Sequence, residues 1–313
     1  MRIMFMGTPE IAMKSLEALI NGGHNVVAVI TREDKPRGRG NVMTPTPTKV
    51  LAEARGIPVH TPATLKDEAF SELLKKYDPE LIVVVAYGKI LPKSVLDYPK
   101  YGCINLHVSL LPKYRGAAPM QRAIMEGESR TGVTVMYMDE GLDTGDMISC
   151  EPIDISLTDN FETIHDKSAE IGAKLLSETI FKIEDGTAIR TPQDHSLATY
   201  AQKIEKEDCR IDFNKDSSTC HCRIRGVTPI PGAFCFHRGK MLKITECDAL
   251  SSSKDGIAAG TVTEISGQGD GYITVACGVG ALRITKLKPE GKGVMSAGDF
   301  VRGRKIEVGE ILE

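Results

Sequence analysis

The sequence predicts an α/β protein: a doubly wound, Rossmann-like parallel sheet followed by a small C-terminal β-barrel of OB-like type. Three observations carry this. Apolar, β-branched segments alternate with amphipathic ones through the first half of the chain, as they do when strands are joined by crossover helices. The run Leu81–Ala86 (LIVVVA) is apolar without interruption, which suits a strand covered on both faces. Beyond residue 207 the pattern shifts to short, turn-bounded, β-rich segments, the mark of a small barrel. At 313 residues the length accommodates about two domains. The expected division is 1–188, a connection at 189–206, and 207–313.

The elements follow in order. Arg2–Met6 is an apolar strand, and Pro9–Asn21 a helix that starts at a proline and repeats Ile11, Leu16, Leu19 and Ile20 on one face. Asn25–Ile30 is a strand. Thr31–Lys49 reads as a basic loop, with Arg32, Lys35, Arg37, Arg39 and Lys49 against Glu33 and Asp34. Pro47–Arg55 is a helix stopped by Gly56. A strand at Ile57–His60, a helix at Lys66–Tyr77 and the Leu81–Ala86 strand come next. Cys103–Leu106 and Gly132–Met138 are strands, with a helix at Ala117–Glu126 between them. Asn160–Ile183 has the apolar period of a long packed helix. Thr187–Ala198 has no period and reads as the connection. The second region holds a short helix at Ser217–Arg225. Its strands fall at Gly232–His237, Met241–Cys247, Gly260–Ile265, Tyr272–Cys277 and Ala281–Leu287, with an exposed turn at Ser251–Gly256.

Composition excludes several classes. No apolar run reaches membrane length, so no membrane partner is expected. The start, MRIMFMGTPE, is broken too soon by Gly7 and Pro9 to be a secretory signal. The eight cysteines then read as reduced cytoplasmic thiols. Cys220-His221-Cys222 lacks the separated ligand pairs of a zinc site, so no metal is expected. Gly7-Thr8-Pro9 lacks the GxGxxG of a dinucleotide site. A net charge of −3 does not mark a nucleic-acid binder, although a local basic loop can still dock phosphates.

The chemistry concentrates in Asn105-Leu106-His107, at the end of a strand, and in Asp143 of GLDTGD. In open α/β sheets ligands bind beyond the carboxyl ends of the strands. Asn105 supplies an amide donor for an oxyanion. His107 lies two residues on, hence on the same side of an extended segment, and can move a proton. Asp143 can orient the imidazole or a water. Ser109-Leu110-Leu111-Pro112 makes an apolar wall ended by a fixed-φ residue, and Ile90 and Leu91 of AYGKILP make another. Lys113-Tyr114-Arg115-Gly116 adds exposed charge beside this slot. Each motif alone also fits ordinary turns and core packing; their joint occurrence at βα-loop positions favours a site.

MGTPE, DKPRGRG, AYGKILP, INLHVSLLPKYRGAAPMQRAI and GVTVMYMDEGLDTGDM span residues 1–147 in order. They resemble the motifs of the 10-formyltetrahydrofolate-dependent formyltransferases, and most of all the methionyl-tRNA formyltransferase family. The resemblance implies transfer of a formyl group from 10-formyltetrahydrofolate to the amino group of methionine on initiator tRNA. It implies Asn105, His107 and Asp143 as catalytic residues. Ser109, Leu110, Leu111 and Pro112, with Ile90 and Leu91, would contact folate, and Lys35, Arg37 and Arg39 would contact the acceptor end of the tRNA. It also implies a tRNA-binding second domain and a cytoplasmic monomer. That family often carries a Trp within or after the SLLP stretch; Tyr114 or Arg122 stands there in this chain, which bears on tRNA contacts rather than chemistry.

Three alternatives stay open at this point. A glycinamide ribonucleotide formyltransferase shares the trio but needs neither the basic loop nor the second domain. A sugar-nucleotide formyltransferase shares the two-domain plan. A non-catalytic RNA-binding protein would bind tRNA without formyl transfer.

Overall fold

A computed structural model describes residues 1–37, 40–252, 256–303 and 305–313, with Arg37 described by its backbone alone. The chain divides into two compact units: 1–116, 131–154 and 165–201 form one, and 117–130, 155–164 and 202–313 form the other.

The elements are β1 (Arg2–Gly7), α1 (Glu10–Asn21), β2 (Asn25–Ile30), β3 (Lys35–Arg37), β4 (Val42–Thr44) and α2 (Pro47–Ala54). Then come β5 (Val59–His60), α3 (Glu68–Tyr77), β6 (Leu81–Val85), α4 (Lys93–Leu96), β7 (Cys103–His107) and β8 (Arg115–Gly116). They are followed by α5 (Pro119–Met125), β9 (Arg130–Tyr137), β10 (Met147–Asp154), α6 (Phe161–Glu184) and β11 (Tyr200–Ala201). The remainder are α7 (Ser217–Val227), β12 (Ala233–His237), β13 (Lys240–Leu250), β14 (Val262–Ser266), β15 (Tyr272–Ala276), β16 (Ala281–Pro289), β17 (Met295–Ser296) and α8 (Ala297–Arg302).

The first unit is built on a seven-stranded sheet in the order β10-β9-β7-β6-β1-β2-β5. The five strands from β7 to β5 are parallel. The expected parallel sheet is therefore present as a five-stranded core, and β9 adds to it by running antiparallel to β7, with His107 opposite Thr134. A buried apolar strand has the same pattern in either direction, so its sequence carries no sign of orientation. All five residues of β6 are buried, and Met4, Met6, Ala28, Ile30, Val84 and Cys103 of the sheet share one core cluster with Leu65, Phe70 and Leu74. Burial pushes the Cys103 thiol up to about 12, so it stays neutral.

Local chemistry fixes the loops above the sheet. Thr46 caps α2 by accepting the Lys49 N–H, with Pro47 at the first turn. Asp67 caps α3 by accepting the Phe70 N–H. Buried hydroxyls of Thr31, Thr46 and Thr48 bond to one another, and Thr48 donates to the Gly7 carbonyl. These bonds tie the ends of β1 and β2 to the start of α2. They hold the base of the basic segment, in which β3 pairs antiparallel with β4.

The second unit carries an antiparallel sheet in the order β12-β13-β16-β15-β14, with β17 on β16. The chain's last residues reach both edges: Leu312 bridges His237 at the end of β12, and Ile311 bridges Thr261 before β14. Gly260 is required there, because a Cβ would stand 2.4 Å from the Leu312 carbonyl oxygen. The core of this unit includes Ile224, Val227, Cys235, Ile244, Val262, Ile273, Leu282 and Leu287. Asp216 caps α7 through the Thr219 N–H. Hydrogen bonds from Ser218 and Thr219 hold its carboxyl well below the usual carboxylate range. Part of the expected Ser251–Gly256 turn, residues 253–255, lies outside the described residues. Among the described residues no group of His, Cys, Asp and Glu side chains could hold a metal ion, and no helix is long and apolar enough to cross a membrane.

Candidate active site

The parallel strands end together at one edge of the first unit's sheet, and the expected chemical groups gather there. Asn105 is the middle residue of β7 and His107 its last. Asn105 pairs with Val84 of β6 and Met136 of β9, so its backbone is fixed from both sides. It is half-buried, and its side-chain amide makes no hydrogen bond among the described residues. A rigidly placed amide with a free N–H is what an oxyanion requires.

His107 is 6% exposed. Its Nε2 lies 2.9 Å from the Tyr114 carbonyl oxygen. That oxygen can only accept, so Nε2 carries a proton and donates it. Nδ1 is then the nitrogen left to gain or lose a proton, and it lies 3.6 Å from Asp143 Oδ2. That separation is too long for a direct hydrogen bond and is an ion-pair distance once the imidazole is charged. The Asp143 carboxylate is anchored by the Gly116 N–H, which donates to Oδ2 at 2.8 Å.

Asp143 has φ 54°, a left-handed conformation that costs a non-glycine residue about 1–2 kcal/mol. Hydrogen bonds hold it there. Gln193 Nε2 donates to the Asp143 carbonyl at 3.0 Å and to the Gly145 carbonyl at 2.7 Å. Gly145 lets the turn close, since a Cβ there would lie 2.0 Å from the Tyr137 carbonyl oxygen.

The expected folate wall has two kinds of residue. Ser109 is fully buried, and its hydroxyl donates to the Lys113 carbonyl while its own carbonyl accepts from Thr134. It therefore shapes the loop from within. Leu110 packs on Gly132, Leu111 is buried, and the Leu111–Pro112 peptide is cis. In the loop after β6 Leu91 is buried, whereas Ile90 is 89% exposed. Lys89 anchors that loop by donating to the Pro62 and Ala63 carbonyls. Tyr87 is buried with no partner for its hydroxyl among the described residues, and burial raises its pKa to about 12.

Of the expected basic contacts, Lys35 is exposed on β3 and lines a pocket of about 190 Å³ with Thr8, Arg32, Glu33, Thr44 and Thr46. Arg37 is described only as backbone in β3, and Arg39 lies outside the described residues. A larger cavity, about 570 Å³, belongs to the second unit and holds none of the expected site residues.

The sequence reading missed four groups. The Tyr114 carbonyl and the Gly116 N–H are backbone, which no side-chain pattern reveals. Arg115 was expected to add exposed charge, yet it is 2% exposed. It bonds through Nε and Nη2 to Gln193 Oε1. Gln193 falls in a segment that reads as polar and aperiodic. The YRG run beside SLLP was the one available signal for Arg115.

Known proteins place this geometry in context. Residues 1–180 match the family described as formyl transferase, and residues 203–305 match the formyl transferase C-terminal domain. The methionyl-tRNA formyltransferase of Citrifermentans bemidjiense is 46% identical over 312 residues, covering 100% of this chain and 96% of the relative. That of Bacillus licheniformis is 44% identical over 311 residues, covering 98% and 96%. Among solved structures, HypX from Aquifex aeolicus in complex with tetrahydrofolic acid superposes with a TM-score of 0.65 at 18% identity, covering 100% of this chain and 50% of HypX. At that identity the likeness is one of fold. The matched families and the full-length relatives agree: this chain belongs to the formyl transferase family.

Proposed function

We propose that the chain transfers the formyl group of 10-formyltetrahydrofolate to the amino group of methionyl-initiator tRNA, and so primes translation initiation. For the chemistry, the observation that carries this reading is the grouping of a free Asn105 amide with His107 and Asp143 at the end of β7. For the acceptor, the support is the naming of full-length relatives.

The amine nitrogen attacks the formyl carbon, and the carbonyl oxygen becomes an oxyanion to which Asn105 donates. The bond from formyl carbon to folate nitrogen then breaks, and the proton lost by the amine passes to the leaving nitrogen. His107 Nδ1 is the atom through which that proton moves, because Nε2 is committed to Tyr114. Asp143 stabilises the imidazole while it carries the charge.

The donor's flat ring lies against the Ser109–Pro112 wall and the Ile90–Leu91 loop. Leu110, Leu111 and the exposed Ile90 supply apolar surface, and Ser109 holds the wall's shape. Lys35, Arg37 and Arg39 contact the acceptor end of the tRNA. The pocket at the hairpin base adds Arg32 to this set. It sits at the ends of β1 and β2, a few strand spacings of about 4.8 Å from β7, a reach that suits the nucleotides next to the aminoacylated end. Residues 1–188 form the catalytic domain, 189–206 the connection, and 207–313 the tRNA-binding domain. Closure of the second sheet by the tail at both edges supports an OB-like barrel. The protein works as a cytoplasmic monomer and needs no metal.

The test is transfer of labelled formyl from 10-formyltetrahydrofolate to Met-charged initiator tRNA, with glycinamide ribonucleotide and an amino-sugar nucleotide as competing acceptors. Label on the tRNA alone is the expected result. Label on a small acceptor would keep the chemistry and overturn the acceptor. Binding of tRNA with no label transferred would overturn the enzyme.

A further inference from the structure

We propose that Arg115 and Gln193 are positioning residues for formyl transfer: they set the Asp143 peptide and, through it, the separation of Asp143 from His107. This rests on the catalytic reading of Asn105, His107 and Asp143 given above.

One side-chain amide bonds to two carbonyls of the turn that carries Asp143. Gln193 Nε2 donates to the carbonyls of Asp143 and Gly145, at 3.0 and 2.7 Å. The other end of the amide, Oε1, accepts from Arg115 Nε at 3.1 Å and Nη2 at 2.6 Å. Rotating the amide would aim Oε1 at two carbonyl oxygens and its NH₂ at a guanidinium, so its orientation is fixed. Arg115 Nη2 also lies 3.1 Å from His195 Nδ1, and the Arg115 N–H donates to the Thr199 carbonyl at 2.8 Å. Both side chains are buried, Arg115 at 2% and Gln193 at 6% exposure, where a hydrogen-bonded network is rigid.

Arg115 stands between the two backbone groups that hold the reacting side chains. On one side the Tyr114 carbonyl accepts from His107 Nε2. On the other the Gly116 N–H donates to Asp143 Oδ2. The side chain between them reaches through Gln193 to the backbone of the same Asp143. Residues 114–116 therefore fix the imidazole, the carboxylate and the carboxylate's own peptide in one frame. Asp143 adopts φ 54°, a backbone state that persists only where its surroundings enforce it.

The experiment compares wild type, Gln193→Glu, Asp143→Asn and the double variant in formyl transfer to Met-charged initiator tRNA, with unfolding midpoints measured alongside. Gln193→Glu keeps the size and the acceptor for Arg115 but cannot donate to the two carbonyls. The expected result is a kcat lowered about 10- to 100-fold, the scale for misplacing a reacting group by about 1 Å. KM for both substrates should change little, while the unfolding midpoint falls because two carbonyls lose their buried donor. On the Asp143→Asn background the same substitution should add little, because both act through one group.

A wild-type kcat for Gln193→Glu overturns the proposal and leaves the catalytic reading intact. So does a loss that repeats in full on the Asp143→Asn background. A wild-type rate for Asp143→Asn overturns the catalytic reading itself. Should Gln193→Glu fail to fold, Arg115→Lys, which keeps the charge but loses the two-pronged contact, faces the same two comparisons.

Discussion

The His107 imidazole and the Asp143 carboxylate lie 3.6 Å apart, and each is held from residues 114–116 rather than by the other. The Tyr114 carbonyl accepts a hydrogen bond from Nε2, and the Gly116 N–H donates to Oδ2. The arrangement gives the imidazole a direction. Nδ1 faces the carboxylate and is the only ring atom able to exchange a proton.

Removing either member should therefore stop chemistry without releasing the acceptor. His107→Ala is expected to lower turnover by about 10²- to 10⁴-fold, the range for a positioned general acid or base. Asp143→Asn should also fall steeply, since an amide oxygen still accepts the Gly116 N–H but cannot offset an imidazolium. Affinity for tRNA should stay near that of wild type in both. Single-turnover formylation and filter binding read the two quantities separately. A near-normal rate in either variant removes that group from the mechanism.

Asn105→Ala tests the oxyanion donor. Loss of one such donor costs about 10²- to 10³-fold in kcat. Because the amide makes no hydrogen bond among the described residues, folding stability should hardly change. Asn105→Asp should be as poor a catalyst as Asn105→Ala, since a carboxylate only accepts. A stable Asn105→Ala enzyme that turns over normally would place the oxyanion elsewhere.

Much of this site was legible because motif and topology coincide. Asn105 and His107 share one side of a strand that ends where the parallel strands' carboxyl ends meet, and the Asn-x-His spacing records it directly. The strand LIVVVA was legible because burial on both faces leaves an uninterrupted apolar run. What stayed hidden depends on partners distant in the chain. Arg115 looks like surface charge until Gln193, 78 residues on, is placed against it. The strand Met147–Asp154 is mostly exposed or half-buried, so its sequence, MISCEPID, shows no clean alternation. The β3–β4 hairpin is too short, with three residues a side, to leave a period. The direction of β9 is set by its neighbour β7 and not by its own residues.

The hairpin base offers an electrostatic prediction. Arg32 and Lys35 line one small pocket with three threonines, and the Thr8 hydroxyl there is buried without a partner among the described residues. Arg32→Ala and Lys35→Ala should each weaken tRNA binding, and each should reduce the slope of log affinity against log salt by about 1. Formylation at saturating tRNA should be less affected. The decisive measurement is binding across a salt series. An unchanged slope in both variants would assign the pocket to something other than phosphate contact.

The second unit carries a pH prediction in its closing tail. Burial alone would raise Glu310, but hydrogen bonds from Arg238, from His237 and from the Glu307 N–H outweigh it and hold the carboxyl down at about 2. His237 Nε2 lies 2.9 Å from Oε2, and Arg238 binds Oε1. The residues that follow Glu310 join the two sheet edges, so this cluster fastens the closure. A carboxyl with a folded pKa below its unfolded one adds stability that is fully present above the unfolded value, and loses it as pH falls toward the folded value. The ordinary value is 4.5, so the window runs from about 4.5 down to about 2. Glu310→Gln should be less stable than wild type at pH 7, and the gap should narrow steadily as pH falls below 4.5. Denaturant unfolding of both proteins from pH 7 to pH 3 measures it. A gap of constant size over that range would mean that the Glu310 charge does not fasten the tail.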